Sequence, residues 1–185
     1  MQRIDTPLPG VCVLEPIVHR DDRGFFLESY NYRTFAEFGI GHTFVQDNYS
    51  CSCQAVLRGL HYQISKPQAK IVRVTVGRVF DAVVDIRLGS DTFGQWFGVV
   101  LSAENSKILF VPEGFAHGFY VLSSTAEFAY KCSDYYSPAD QRGIIWNDPD
   151  IGIAWPTQGC PPLLSDRDRA FGTLATQPRE DLPRI

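Results

Sequence analysis

The sequence predicts a mainly β protein built as an antiparallel sandwich or barrel, and three observations support this fold class. Apolar, β-branched and aromatic residues recur in short alternating stretches that are separated by turn signals. Aromatic residues make up 13% of the chain, with 13 Phe and 8 Tyr, which suits a β-rich interior or a pocket that stacks flat ligands. The 185 residues, 44% of them hydrophobic, are enough for one sizeable core and few for two, so we expect one domain, residues 1–185.

The alternating stretches predict about ten strands. They lie at residues 11–14, 25–30, 44–49, 56–62, 71–76, 79–86, 96–101, 107–111, 118–122 and 127–131. One short helix is predicted over residues 32–38, with Gly39 ending it. After Ser133 the chain becomes rich in Pro, Asp and Trp, which predicts an irregular or helical tail packed over the barrel.

Charge and cysteine content exclude several classes of partner. The net charge is −4 and no run of Lys or Arg is present, so we expect no nucleic acid and no anionic membrane as a partner. No apolar stretch approaches the ~20 residues that span a bilayer, and the start has no signal-peptide core. The five cysteines are odd in number and lack C-x-x-C spacing, so we expect reduced thiols and a cytoplasmic protein.

Polar residues interrupt three of the predicted strands. They cluster at residues 46–48, 57–63 and 68–70. On strict alternation His61 shares a face with Gly59, while Arg58 points to the other face unless Gly59 permits a bulge. A histidine alone on a strand is more often structural than catalytic, so these residues gain meaning only as a group.

A second cluster, P-E-G-F-A-H-G-F at residues 112–119, resembles the second metal-binding motif of the cupin superfamily and contains His117. In metal-bearing cupins the first motif supplies two histidines and a glutamate. Here the corresponding stretch has only His61, followed by Tyr62 and Gln63. Because zinc and iron sites need at least three protein ligands as a rule, we expect no metal.

Six motifs in order along the chain resemble the dTDP-4-dehydrorhamnose 3,5-epimerase family. They are Q-D-N-x-S-x-S (46–52), V-L-R-G-L-H-Y-Q (56–63), K-I-V-R-V (70–74), F-D-A-V-V-D-I-R (80–87), P-E-G-F-A-H-G-F (112–119) and W-N-D-P-D-I-G-I-A-W-P (146–156). The resemblance implies a double-stranded β-helix, the jelly-roll barrel of the cupins, with short helices mostly in the C-terminal tail. It also implies a homodimer that needs no cofactor and acts on a dTDP-linked 4-keto-6-deoxy sugar, in the third step of dTDP-L-rhamnose synthesis.

The resemblance assigns roles to individual residues. It implies that His61 is the general base, Asp168 its partner carboxylate, Tyr130 the general acid, and Tyr136 a stacking platform for thymine. It further implies substrate contacts by Arg23, Glu28, Gln46, Asp47, Asn48, Arg58, Lys70, His117, Tyr136, Gln141 and Arg167. Two positions depart from the family pattern: Gln141 stands where Glu is usual, and Arg167 stands where Lys is usual.

The chemistry of a 4-keto sugar explains why such residues are needed. C3 and C5 both lie next to the ketone, so each can lose a proton to give an enolate with its charge on the C4 oxygen. Neutral histidine is a suitable base near pH 7, and Lys70 is the candidate that stabilises the oxyanion. Inversion requires a proton from the opposite face, which Tyr130 could deliver.

Several alternatives remain open from the residues. Arg58 and Lys70 could be surface charges, Tyr130 and Tyr136 amphipathic barrel residues, and Asp168 a turn cap or the partner of Arg169. A related 3- or 5-epimerase or ketoisomerase on the same scaffold is the alternative enzyme. A non-catalytic sugar-binding cupin is the alternative outside enzymes.

Overall fold

A computed structural model describes residues 1–185, and its strands form two large antiparallel sheets and one hairpin. The strands are β1 (Gln2–Asp5), β2 (Cys12–Glu15), β3 (Val18–Asp21), β4 (Gly24–Leu27), β5 (Gln46–Cys53), β6 (Leu57–Gln63), β7 (Lys70–Val76), β8 (Arg78–Asp85), β9 (Trp96–Ser102), β10 (Ile108–Val111), β11 (Phe115–Val121), β12 (Thr125–Cys132) and β13 (Gln141–Gly143). The helices are α1 (Tyr32–Glu37) and α2 (Asp166–Ala170), with 3₁₀ turns at Leu174–Thr176 and Arg179–Asp181.

The strand order confirms the jelly-roll barrel. One sheet has the order β1-β2-β10-β7-β12-β5 and the other β13-β6-β11-β8-β9, while β3 and β4 pair only with each other. From β5 to β8 the chain alternates between the two sheets, and it does so again from β9 to β12. The predicted mainly β, cupin-like fold is therefore correct, and so is the position of the short helices, since only α1 precedes the C-terminal tail.

The core lies between the two sheets and continues on both outer sides. Fifteen buried apolar residues fill the interior, with Phe119 and Phe128 stacked at 4.3 Å between ring centroids. Burial of such side chains contributes ~1.5–3 kcal/mol each. A second cluster joins the five-stranded sheet to the tail through Ile144 and Leu174, and a third packs Phe35 of α1 on the six-stranded sheet.

Strand β6 contains the bulge that the sequence left open. His61 pairs with His117 and Arg58 pairs with Phe119. These partners are three residues apart on β6 and only two residues apart on β11, so β6 has one extra residue. The extra residue reverses the alternation and brings Arg58 and His61 to the same side of the sheet. Gly59 permits this because its φ is +125° and a Cβ there would lie 2.5 Å from the Cα of Gly118.

The remaining elements differ little from the sequence predictions. The short strands β1, β3 and β13 were not predicted, because their residues are largely polar and mostly exposed or half-buried. All five cysteines are free thiols, as predicted. None of the helices is both long enough and apolar enough to cross a membrane.

Candidate active site

A cavity of about 620 Å³ opens between the two sheets at one end of the barrel. The five-stranded sheet supplies one wall, with Arg58, His61 and Gln63 from β6 and His117 and Phe119 from β11. The six-stranded sheet supplies the facing wall, with Gln46, Asn48 and Ser50 from β5, Lys70 from β7, and Phe128, Tyr130 and Cys132 from β12. Gln68, Tyr136, Gln141, Ser165, Arg167 and Asp168 complete the lining. The volume is typical of small-ligand sites.

A hydrogen-bonded pair of His61 and Asp168 joins the barrel to the tail. His61 Nε2 lies 2.7 Å from Asp168 Oδ1. The carboxylate is buried, and helix α2 holds it in place because Ser165 caps the helix and accepts a hydrogen bond from the Asp168 amide at 3.1 Å. This geometry replaces the alternative in which Asp168 pairs with Arg169, whose guanidinium donates to the Leu164 carbonyl.

The ionisation of the pair determines which ring nitrogen can act as a base. Burial alone raises the pKa of Asp168, but the hydrogen bond and charge of His61 and the hydrogen bond from the Gly59 amide outweigh it and lower the pKa below its usual value. An ionised carboxylate only accepts, so the His61 Nε2 carries the hydrogen and Nδ1 is left with a free lone pair. Burial lowers the pKa of His61, and Asp168 only partly offsets this effect. His61 is therefore neutral at pH 7.

The facing wall carries a proton donor and a cation. Burial raises the pKa of Tyr130 above its usual value, so the phenol is protonated at neutral pH. Burial lowers the pKa of Lys70, and the Asp81 carboxylate acts in the opposite direction. A cation in such a partly desolvated position interacts more strongly with a developing oxyanion than it would in water.

His117 also has a carboxylate partner. Its Nε2 lies 2.8 Å from Oδ1 of Asp81, which is fully buried. Burial raises the pKa of Asp81, while the contact with His117 lowers it. Asp81 fixes the orientation of the imidazole, which lines the cavity and stacks on the Phe128 ring with centroids 6.3 Å apart.

Three cations line the cavity without an ion pair inside the chain: Arg58, Lys70 and Arg167. The Arg58 guanidinium donates only to Ser52 Oγ, at 3.1 and 3.2 Å. None of the three is neutralised by a carboxylate, and a group of such cations around one cavity suits an anionic ligand with several oxygens. Diphosphate meets this description.

An aromatic ring and three amides line the mouth of the cavity. The Tyr136 hydroxyl donates to Gln141 Oε1 at 2.6 Å, and the Tyr136 amide donates to Gln46 Oε1 at 2.8 Å. Gln46 Nε2 in turn donates to Asn48 at 3.0 Å. These bonds hold the half-exposed Tyr136 ring next to amide groups that can bind a heterocyclic base.

Three predicted contact residues do not line this cavity. Asp47 lies on the outer face of β5, because alternation separates it from Gln46 and Asn48, and it pairs there with Lys131 at 2.8 Å. Arg23 pairs with Asp21 on the β3–β4 hairpin. Glu28 follows that hairpin and accepts a hydrogen bond from Asn31. Asp47 is therefore omitted from the contacts proposed below.

Sequence reasoning missed Asp81, Gln63 and Ser165. Asp81 interrupts an otherwise apolar strand, and a buried acid without a partner is costly, so a nearby base could have been expected. Gln63 holds the rim by donating to the Lys66 carbonyl and accepting from the Ser137 amide. Ser165 stands three residues before Asp168, which is the spacing of a helix cap.

No three His, Cys, Asp or Glu side chains come together as a metal-binding group.

The fold and the cavity together define a cupin-type carbohydrate epimerase. The dTDP-4-dehydrorhamnose 3,5-epimerase family matches residues 5–176, and the chain belongs to this family. A dTDP-4-dehydrorhamnose 3,5-epimerase of Pseudomonas aeruginosa is 57% identical over 164 residues, which are 88% of this chain and 90% of that protein.

Two solved structures show how far the likeness extends. A dTDP-6-deoxy-D-glucose-3,5-epimerase of Legionella pneumophila in complex with dTDP-4-keto-L-rhamnose has a TM-score of 0.97 and 50% identity, and covers 100% of this chain and 98% of its own. A 3'-monoepimerase of Streptomyces bikiniensis in complex with dTDP-quinovose has a TM-score of 0.90 and 38% identity, with coverage of 97% and 91%. The barrel is thus shared by enzymes that invert two centres and by one that inverts a single centre.

The pH dependence of activity follows from the state of His61. Only the neutral imidazole accepts a proton, so we expect kcat/KM to fall as pH drops through the His61 pKa, with a midpoint below 6.5. Asp168→Asn removes a charge that raises this pKa, so its midpoint should lie lower still. Stopped assays from pH 4.5 to 8 measure both. His42→Gln, outside the cavity, serves as control, and a wild-type midpoint above 6.5 would refute the assignment.

Proposed function

We propose that this chain catalyses 3,5-epimerisation of dTDP-4-dehydro-6-deoxy-D-glucose to dTDP-4-dehydro-L-rhamnose, as one cupin-like epimerase domain spanning residues 1–185. The observation that carries the proposal is the placement of a His61–Asp168 pair on one wall of the cavity and of Tyr130 and Lys70 on the other. A ring bound between the walls has one face towards a base and the other towards an acid. Relatives of up to 57% identity that are dTDP-4-dehydrorhamnose 3,5-epimerases support the substrate.

The first half of the reaction is proton abstraction. His61 Nδ1 takes the proton from C3, the C–H electron pair forms the C3–C4 double bond, and the carbonyl electrons move to the C4 oxygen. Lys70 stabilises the oxyanion from the facing wall. Removing one such donor typically reduces the rate by about 10²–10³-fold.

The second half is reprotonation from the other face. Tyr130 donates its phenolic proton to C3, the double bond returns to a ketone, and the centre is inverted. Both groups recover their protonation states by exchange with solvent. The same sequence at C5 inverts the second centre, because C5 also lies next to the C4 ketone.

The nucleotide is held by the charged and polar groups of the cavity and its mouth. Arg58, with Arg167, binds the diphosphate, His117 contacts the sugar side, and the Tyr136 ring stacks on thymine. Gln46, Asn48 and Gln141 supply amide groups for the base and ribose. The unpaired state of the cations and the preset mouth both support this arrangement.

The β3–β4 hairpin supports a homodimer. The hairpin pairs with neither large sheet, and its Phe25 and Phe26 are 60% and 71% exposed. A two-stranded hairpin with solvent-exposed apolar side chains is only marginally stable in water. We place this hairpin against a second copy of the chain. There Arg23 and Glu28, which do not line their own cavity, would complete the nucleotide site of the partner.

Two further parts of the proposal concern the environment of the enzyme. The reaction needs no metal or cofactor, because the enolate is formed and quenched by side chains alone. The five free thiols support a reducing compartment, and we place the enzyme in the cytoplasm.

Isotope exchange tests the reaction. The purified protein is incubated with dTDP-4-dehydro-6-deoxy-D-glucose in D₂O, and the product is identified by NMR. We expect deuterium at both C3 and C5, the L-lyxo configuration, and unchanged turnover after exhaustive chelation. Deuterium at only one centre would instead establish a monoepimerase, and loss of turnover on chelation would refute the metal-free mechanism.

A single substitution tests the dimer. Phe26→Asp would place a charge in the proposed interface, where its desolvation is unfavourable, so sedimentation velocity should show monomers. Calorimetry should then show dTDP binding at least about tenfold weaker, because charge-assisted contacts from Arg23, ~1.5–3 kcal/mol, are lost. Val100→Asp, at an exposed site on β9, is the matched control. A Phe26→Asp dimer with wild-type dTDP affinity would contradict the shared site.

A further inference from the structure

A glycine lies directly beside the proposed base. Gly143 of β13 is the cross-strand neighbour of His61 on β6. A Cβ at this position would lie 2.2, 2.4 and 2.5 Å from three ring atoms of Phe171. Real Cβ atoms do not approach other atoms so closely, so the aromatic ring occupies space that is open only because residue 143 has no side chain.

Phe171 links this space to the dyad. It is the C-cap of α2 and follows Asp168 by three residues. Its ring meets the His61 imidazole edge-on, with centroids 5.8 Å apart and planes at 74°. One ring therefore packs against both the base and the strand beside it, within one turn of the carboxylate that orients the base.

The chain around Phe171 is fixed on its C-terminal side. The Ile145 amide donates to the Gly172 carbonyl at 2.9 Å, and the Leu174 amide donates to the buried Asp148 carboxylate at 2.6 Å. Helix α2 itself has only five residues and too few internal hydrogen bonds to be stable alone. Its position depends on the anchored residues at its two ends, which are Leu163, bonded to Ala55 and Leu57, and Phe171.

We propose that Gly143 is a positioning residue for catalysis, since it forms a slot whose occupation by the Phe171 ring sets Asp168 in line with His61. The inference rests on the proposed function, in which this pair is the general base. It assigns catalytic importance to a residue that contacts neither substrate nor proton. The effect is transmitted through one rigid aromatic side chain.

The backbone of Gly143 makes the inference testable with alanine. Its φ is not among the positive values found at ten other glycines, so alanine is compatible with the backbone at this position. The three nearest atoms to the new Cβ all belong to the Phe171 ring. The first effect of Gly143→Ala is therefore to displace that ring.

Gly143→Ala should lower kcat by about 10–100-fold, as a misplacement of ~1 Å does for catalytic groups, with KM changed by less than about threefold. Because Asp168 raises the His61 pKa, its withdrawal should also shift the acid limb of kcat/KM to lower pH, towards that of Asp168→Asn. If Gly143→Ala only destabilised the enzyme, the molecules that remain folded would show the wild-type acid limb of kcat/KM. Circular dichroism and thermal melts measure the folded fraction.

Gly98→Ala is the matched control. Gly98 lies in β9, also lacks a positive φ, and a Cβ there would meet the Phe80 ring at 2.3 Å, outside the cavity. Gly98→Ala should reduce stability as Gly143→Ala does, but it should leave kcat per folded molecule and the acid limb of kcat/KM unchanged. Equal losses of kcat in both variants would overturn the proposal.

The decisive arm is a double-mutant cycle with Phe171→Leu. The smaller side chain leaves room for a Cβ at residue 143, so adding Gly143→Ala to Phe171→Leu should change kcat by less than about threefold. This comparison stands even if Gly143→Ala alone does not fold. If kcat of the double variant were tenfold lower than that of Phe171→Leu alone, the proposed slot would be overturned. Absence of deuterium exchange in the wild type would instead contradict the proposed function itself.

Discussion

The geometry of the site depends on one hydrogen bond, between Nε2 of His61 and Oδ1 of Asp168. It joins a barrel strand to a tail helix that lies 107 residues later in the chain. The bond determines the tautomer of the imidazole, and so leaves Nδ1 as the nitrogen that acts as the base in the proposed mechanism. Its energetic value comes from burial, since a carboxylate held in a dry site and bonded to several donors remains ionised and can only accept. In the proposed mechanism the tail therefore takes part in catalysis and also covers the barrel.

The barrel contributes what a tail or loop alone cannot, namely two rigid walls that face each other. The jelly-roll strand order places His61 on one sheet and Tyr130 on the other, and the close-packed core beneath them keeps the walls at a fixed separation. Burial then acts on both groups in opposite senses, lowering the pKa of His61 and raising that of Tyr130. One physical effect thus gives a neutral base and a protonated acid at the same pH, which is the condition for inversion.

Much of this could be predicted from the sequence, because alternation and turn signals are local properties. The ten expected strands, the short helix and the irregular tail all correspond to elements of the structure. The Arg58 side chain shows the limit: its direction depends on a bulge at Gly59, which is set by the close approach of Gly118 on another strand. Local patterns likewise did not identify His117 as the partner of Asp81, or show that Arg23 lies outside the cavity. Each of these depends on contacts between distant parts of the chain.

The central claim is that base and acid act from opposite walls, and Tyr130→Phe tests it most directly. The variant keeps the ring and removes only the proton donor, while His61→Ala removes the base. In D₂O, NMR should show that Tyr130→Phe still incorporates deuterium at C3 or C5 with retained configuration, because His61 can return a deuteron to the face it deprotonates. His61→Ala should lose both exchange and inversion, a loss of about 10²–10⁴-fold. Full epimerisation by Tyr130→Phe, or exchange lost as completely as in His61→Ala, would contradict the two-wall mechanism.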